Sequence, residues 1–172
     1  VTKIAAGKAC DIRRCISCNK GCTDAIQNRQ FLSCVLNAEN GYENTRSIQP
    51  AAQKKKIAVR GGGPAGLEAA RVAALRGHDV TLFEKTTTLG GQLNIACVPP
   101  RKEEMRRAAQ DLIHAVCNAG VHLCMGQTRT AEQLKDAGFE AVINAVGAHS
   151  AAPRIPGIDS GNVADAWEDL AG

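Results

Sequence analysis

Aromatic side chains are scarce in this sequence: Phe, Trp and Tyr together make up 3% of its 172 residues. So few rings build no stacking platform, which excludes the usual way of holding single-stranded nucleic acid. Long apolar runs are missing as well. None approaches the roughly 20 residues needed to cross a bilayer, and no signal-peptide pattern opens the chain. The expectation is a soluble, cytoplasmic protein without a membrane partner. The formal net charge is only +4. The densest basic run, QKKKIAVR at 53–60, leads directly into an apolar strand and has no basic helix or interleaved aromatics beside it. It reads as a solvated linker end, and no nucleic-acid partner is expected. No Ser/His/Asp or Cys/His set is arranged for nucleophilic work. His78, His114, His122 and His149 stand singly and read as surface or packing residues. Internal repeats are also absent.

What is present is 44% hydrophobic residues, abundant alanine and 17 glycines. That suffices for one sizeable core plus an appendage, and it suits close helix-to-strand packing and backbone-lined sites. There are eight cysteines, which in an intracellular setting read as ligands or free thiols before disulfides. Cys10, Cys97, Cys117 and Cys124 are scattered without ligand spacing and read as small buried hydrophobes. The other four, Cys15, Cys18, Cys22 and Cys34, fall at C-x2-C-x3-C-x11-C.

One loop can present the first three thiolates and Cys34 returns to supply a fourth corner, which suits a [4Fe-4S] cube with one thiolate per iron. Gly21 is expected at positive φ, where a side chain would clash. Zinc also accepts four thiolates, but its structural sites usually pair two short knuckles, and Cys22 with Cys34 forms none. Unligated thiols are the third possibility. A cluster would also explain how residues 1–50, polar and without strong periodicity, become ordered.

After a linker at 51–56 the pattern changes. IAVR reads as a strand, GGGPAG as a turn, LEAARVAALRG as a helix closed by Gly77, and HDVTLFEK as a second strand. Residues 86–100 read as a loop, broken by two glycines and a Pro-Pro pair. RKEEMRRAAQDLIHAVCNAG is an amphipathic helix with Met105, Ala108 or Ala109, Leu112, Val116 and Ala119 on one face. VHLCMG is a strand, TAEQLKDAG a short helix with a capping threonine, and EAVINAVGA a further strand. Such alternation predicts an α/β fold, a Rossmann-like three-layer domain over 57–172 with helices on both faces of a parallel sheet.

Within it, Gly61, Gly63 and Gly66 form G-x-G-x-x-G between a strand and a helix. Glu84 ends the second strand eighteen residues after Gly66, placed to accept hydrogen bonds from the ribose hydroxyls of an adenosine. Gly61 makes the turn, Gly63 admits the pyrophosphate, and Gly66 lets the helix pack on the strand, its N-terminus toward the phosphates. An acidic Glu84 argues against a 2′-phosphate, and Lys85 beside it weakens that only slightly.

The order of four-cysteine loop, basic linker, GGGPAGLEAA, VTLFEK, LGGQL and RIPGID resembles the iron-sulfur flavoenzymes of the 2,4-dienoyl-CoA reductase, enoate reductase and trimethylamine dehydrogenase family, in the portion that follows their FMN barrel. The cysteine spacing matches the dienoyl-CoA reductase branch better. The resemblance implies FAD, or its ADP moiety, at Gly61, Gly63, Pro64, Ala65, Gly66, Glu84 and Lys85, with Gly91 and Gln92 along the pyrophosphate or toward the flavin and Gly147 where the backbone passes close to the cofactor. It implies a [4Fe-4S] cluster on Cys15, Cys18, Cys22 and Cys34. It further implies partners, an FMN-binding barrel and an NAD(P)H-binding domain, in a complete oxidoreductase that reduces an activated C=C bond. By this resemblance the chain is part of an enzyme, cut at domain boundaries or encoded by a split gene, and is not active on substrate alone. Arg60 and Val146 depart from the family's pattern, which has a small or aliphatic residue and a threonine at those places. A redox-silent ADP-binding module with a structural four-cysteine site and a glutamate-synthase-small-subunit type of protein are the alternatives.

Overall fold

The computed structural model describes residues 2–172. Its centre is a four-stranded parallel sheet, β1 (Lys56–Arg60), β2 (Asp79–Phe83), β3 (His122–Cys124) and β4 (Ala141–Asn144), in the order β3-β2-β1-β4. Ile57 pairs with Val80 on one side and with Ala141 on the other, and Thr81 pairs with His122. The expected parallel α/β architecture is thus present.

Alternation along the strands decides the two faces. Ile57, Val59, Val80 and Leu82 pack with Leu67 and Ala70 and with Leu112 and Val116 into the main core. Leu67 and Ala70 belong to α4 (Pro64–Leu75), and the other two to α6 (Glu103–Asn118). Ala58 and Phe83 point the other way, onto Leu134 of α7 (Ala131–Asp136). Leu67, Leu82 and Val59 have no exposed surface, and each buried side chain of this size contributes about 1.5–3 kcal/mol.

Local signals explain where the helices begin. Gly63 caps α4 and Pro64 takes its first position, where the missing N–H costs nothing. Thr130 and Gln133 exchange hydrogen bonds in a capping box ahead of α7, as the threonine suggested. Glu103 and Glu104 occupy the first turn of α6, complementing its dipole.

Residues 86–100 are not loop throughout: Leu93–Ala96 form α5. The bonds from Leu93 N–H to Gly90 O and from Ala96 N–H to Gln92 O wind it directly after the two glycines. Pro99 and Pro100 lie beyond its end, so they stop this helix rather than prevent it.

The cysteine-rich portion contributes only short pieces: α1 (Thr2–Ala5), a 3-10 turn (Ala9–Asp11), α2 (Thr23–Gln27) and α3 (Glu43–Arg46). It leans on α4 and α6 through charge. The Arg14 guanidinium donates to both Asp111 oxygens, while Arg13 donates to Glu68, which also pairs with Arg71. A last helix, α8 (Ala166–Ala171), starts at Asp165, whose carboxylate accepts from Trp167 N–H. No described helix is long and apolar enough to cross a membrane.

The scattered cysteines divide: Cys97 is buried and Cys124 half-buried, but Cys10 and Cys117 are exposed, against the expectation for all four. Cys10 sits in the 3-10 turn and Cys117 on the exposed side of the long helix α6, placements that spacing alone does not disclose.

Candidate functional site

Strand order decides where a ligand can sit. With β4 beside β1 and β2 on the other side, the chain reverses its winding between β1 and β4, and the carboxyl ends of those strands open a crevice. Both strands leave it in tight turns. Gly61, at φ +102, has no room for a Cβ, which would collide with the Ala145 carbonyl. Gly66 has none either, because a Cβ there would enter the Gly61 carbonyl. The close helix-to-strand approach read from the motif is therefore real.

The start of α4 carries no side-chain cap and no acidic residue in its first turn. Its leading N–H groups lack intrahelical partners and present positive potential to the crevice, the arrangement that binds phosphate.

Glu84 follows β2 and is 7% exposed. One carboxylate oxygen accepts from Gly62 N–H at 2.6 Å, and the other from Thr86 N–H at 2.8 Å and Thr86 Oγ1 at 2.9 Å. Burial pushes its pKa up, but the Thr86 and Gly62 donors outweigh it and hold the carboxyl below its usual range. The group is an anion at neutral pH; the oxygen held by Gly62 keeps acceptor capacity for a hydroxyl, and the other regains it when the Thr86 hydroxyl turns to the Thr88 carbonyl that it meets at 2.8 Å.

Gly61, Gly63, Pro64, Ala65, Glu84, Lys85, Gly91, Gln92 and Gly147 all line one cavity of about 550 Å³, with Gly66 beneath it in the turn. Gln92 spans the mouth, its Nε2 donating to the Ala148 carbonyl at 3.2 Å. Sequence reasoning missed Gly62, whose N–H orients Glu84, and Thr86, whose hydroxyl and N–H fix the other oxygen. The second glycine of RGGGPAG, the one extra to G-x-G-x-x-G, was the available signal for the first. Arg60 lies off the main cavity and lines a smaller one of about 80 Å³ with Phe83, Gln127 and Arg129. Among the described residues it has no ion-pair partner.

The four spaced cysteines converge too. Cys15, Cys18, Cys22 and Cys34 line a common small cavity, but no three of their sulfurs come within 4.8 Å of one another. A single tetrahedral zinc with bonds of about 2.3 Å would hold thiolates about 3.8 Å apart. The wider spread suits a polynuclear cluster, whose thiolates sit on separate irons. Ser17 N–H also points at Cys15 Sγ, 3.2 Å away, a donor of the kind that tunes cluster sulfur.

Gly21 is needed here, but not for positive φ. A Cβ on it would lie 2.7 Å from Ser33 O, where the two limbs of the loop meet. Ser17 and Asn19 take the left-handed conformation instead, at φ 53 and 54.

Comparison with known proteins places these features. Residues 55–170 match the family "Pyridine nucleotide-disulphide oxidoreductase". A bilirubin reductase of Mediterraneibacter gnavus is 57% identical over 99% of the chain, and a cinnamate reductase of Clostridium sporogenes is 37% identical over 91%. The chain spans about a quarter of each relative, 26% and 24%. Among solved structures, a 2-naphthoyl-CoA reductase in complex with 2-naphthoyl-CoA superimposes with a TM-score of 0.92 at 32% identity, covering 99% of this chain and 26% of that one.

Proposed function

The chain belongs to the pyridine nucleotide-disulphide oxidoreductase family and, within it, to the iron-sulfur flavoenzymes of the 2,4-dienoyl-CoA reductase, enoate reductase and trimethylamine dehydrogenase type; from that premise we propose that it is the electron-transfer portion of an NAD(P)H-dependent reductase. It holds the ADP moiety of FAD in the β1/β4 crevice and a [4Fe-4S] cluster on Cys15, Cys18, Cys22 and Cys34. The observation that carries this reading is the single 550 Å³ cavity that gathers the glycine turn, Glu84, Gln92 and Gly147.

The residues divide the work by chemistry. Glu84, already an anion and fixed by Gly62 and Thr86, accepts the two ribose hydroxyls. The uncapped start of α4, with Gly63 and Ala65, receives the pyrophosphate by N–H donation. Gly91, Gln92 and Gly147 border the way out toward the flavin end. The four cysteines would hold the irons of the cluster through sulfur, with the Ser17 N–H donating to Cys15 Sγ. Bound flavin and cluster together supply the conversion of a hydride's electron pair into single electrons.

In the complete enzyme an NAD(P)H-binding domain would supply the reducing equivalents and an FMN barrel would hold the site where an activated C=C bond is reduced. The relatives and the structural neighbour are named for bilirubin, cinnamate and 2-naphthoyl-CoA, and conjugated unsaturated compounds, acids and acyl-CoA thioesters among them, are the substrate class that follows.

The test is anaerobic reconstitution of the chain with iron and sulfide, followed by metal analysis, spectroscopy and calorimetry. About four irons and four sulfides per chain, a reducible visible absorbance and saturable ADP binding are expected from the cluster type. A colourless protein with one zinc on the four cysteines would overturn the redox reading.

A further inference from the structure

A second cluster of donor atoms lies away from both sites, where the 3-10 turn Ala9–Asp11 meets the last turns of α6. Cys10 Sγ, Asp11 Oδ1 and His114 Nε2 lie within 4.8 Å of one another beside a cavity of about 270 Å³. Sulfur and carboxylate are 3.9 Å apart, and carboxylate and imidazole 2.8 Å. A tetrahedral zinc with bonds of about 2.0–2.3 Å spaces such atoms at about 3.3–3.5 Å. The observed edges straddle that value.

Hydrogen bonding alone does not satisfy the group. Asn118 Nδ2 is 2.9 Å from Asp11 Oδ1 and 2.8 Å from His114 Nε2, so three polar atoms form a nearly equilateral triangle. If Nε2 carries a proton, it and the Asn118 amide are two donors pressed together. If it does not, its lone pair faces the Asp11 oxygen. Turning the amide over removes the first conflict by setting Asn118 Oδ1 against Asp11 Oδ1. With Asp11 ionised, no assignment of the remaining protons makes all three edges favourable. A cation does, because it accepts the lone pairs of Nε2, of Oδ1 and of the turned amide at once.

We propose that Cys10, Asp11 and His114, with Asn118 at the fourth corner, form a zinc site separate from the four-cysteine cavity. Thiolate, imidazole and carboxylate together are the borderline-soft set that zinc takes, and the two anionic ligands balance its charge. Lys3 stands at the rim with its ammonium committed to the Asp11 carbonyl at 2.7 Å. The ion would fasten the turn before Cys15 to α6, adding to the neighbouring contact of Arg14 with Asp111. Its place in the fold makes it a structural clamp: it meets neither cavity assigned to the cofactors.

The test uses the chain with its iron site filled, dialysed against micromolar free zinc, with metal analysis and anomalous diffraction at the zinc edge. One zinc per chain is expected at Cys10, with iron content unchanged. His114→Gln and Cys10→Ser should each weaken zinc binding by at least about tenfold, the lower end of what even an outer partner of a ligand is worth, while retaining iron and ADP binding. Cobalt substitution supplies a second measurement, a thiolate-to-cobalt absorption band in the parent that Cys10→Ser removes. Parent protein without zinc, zinc retained equally by both variants, or zinc located only on Cys15, Cys18, Cys22 and Cys34 would each overturn the proposal. Loss of the iron cluster in the parent would instead count against the proposed electron-transfer role.

Discussion

Replacing Glu84 by alanine tests the nucleotide site where its geometry is most demanding. In the free protein the carboxylate satisfies Gly62 N–H, Thr86 N–H and the Thr86 hydroxyl. Removing it has two effects. Each buried donor left without a partner costs about 1–3 kcal/mol of stability, and the hydroxyl escapes this because it can rotate toward the Thr88 carbonyl it already meets at 2.8 Å. Two ribose hydroxyls also lose their acceptor, which weakens ADP by about 1–3 kcal/mol, or roughly 5- to 150-fold in Kd. Denaturant titration separates the stability loss from the binding loss, which is read by calorimetry on the folded fraction. The pH dependence has a defined sign. The folded pKa of Glu84 lies below its ordinary 4.5, so its contribution is fully present above 4.5 and is lost as pH falls through the lowered folded value. In the neutral range, then, ADP affinity should not vary on account of this group. Equal ADP affinity in a folded Glu84→Ala protein and its parent would refute the assignment of the crevice.

Other perturbations address the remaining links. Cys22→Ser should bleach the reconstituted protein and raise hydrogen exchange across residues 15–34, whereas full retained iron would remove Cys22 from the ligand set. Gly66→Ala forces a Cβ into the Gly61 carbonyl, so ADP binding should be lost together with about 1–3 kcal/mol of stability, the range typical for overpacking; an unaffected Tm would show that the turn can open. Leu82, with no exposed surface, should cost about 2–5 kcal/mol on truncation to alanine, measurable as a shifted denaturant midpoint at unchanged slope. The isolated chain should not reduce unsaturated acids or thioesters with NADH, because a relay without both ends does not turn over; steady turnover without an added FMN protein would show a substrate site outside the two cavities described.

Much of this was legible because the relevant signals are local and periodic. The glycine turn, the carboxylate eighteen residues on and the amphipathic face of α6 each need only a few neighbours in sequence to be read. Helix α5 was not, since its winding depends on the turn at Gly90 and Gly91 and on packing of Leu93 against the core. The role of Gly21 was misread for a related reason: whether a glycine answers to φ or to a neighbour depends on Ser33, twelve residues away. His114 looked solitary because its partner, Asp11, is 103 residues distant. Contacts of that range are set by the docking of the cysteine-rich portion onto α6, which no periodicity encodes.

That docking bears on how the two proposed cofactor sites communicate. Arg13 stands two residues before Cys15, and its guanidinium reaches both the Leu36 carbonyl, two residues after Cys34, and Glu68. Glu68 lies one turn into α4, the helix whose start faces the pyrophosphate, and its second partner Arg71 lies one turn further on. Burial works against the Glu68 charge, yet the two guanidinium groups hold its carboxyl below the usual range. A single carboxylate therefore ties both limbs of the cysteine loop to the nucleotide-binding helix. Glu68→Gln leaves two cations without their counter-charge, and Arg13 is the more exposed of the two. The loop should loosen first, while α4 stays anchored by Leu67 and Ala70 in the core. In hydrogen exchange, protection should therefore fall around Cys15 and Cys34 more than within α4, with ADP affinity little changed. Uniform loss of protection in both would mean that the cysteine loop and the nucleotide domain open as one unit, and that Glu68 is part of a common core rather than a tie between two bodies.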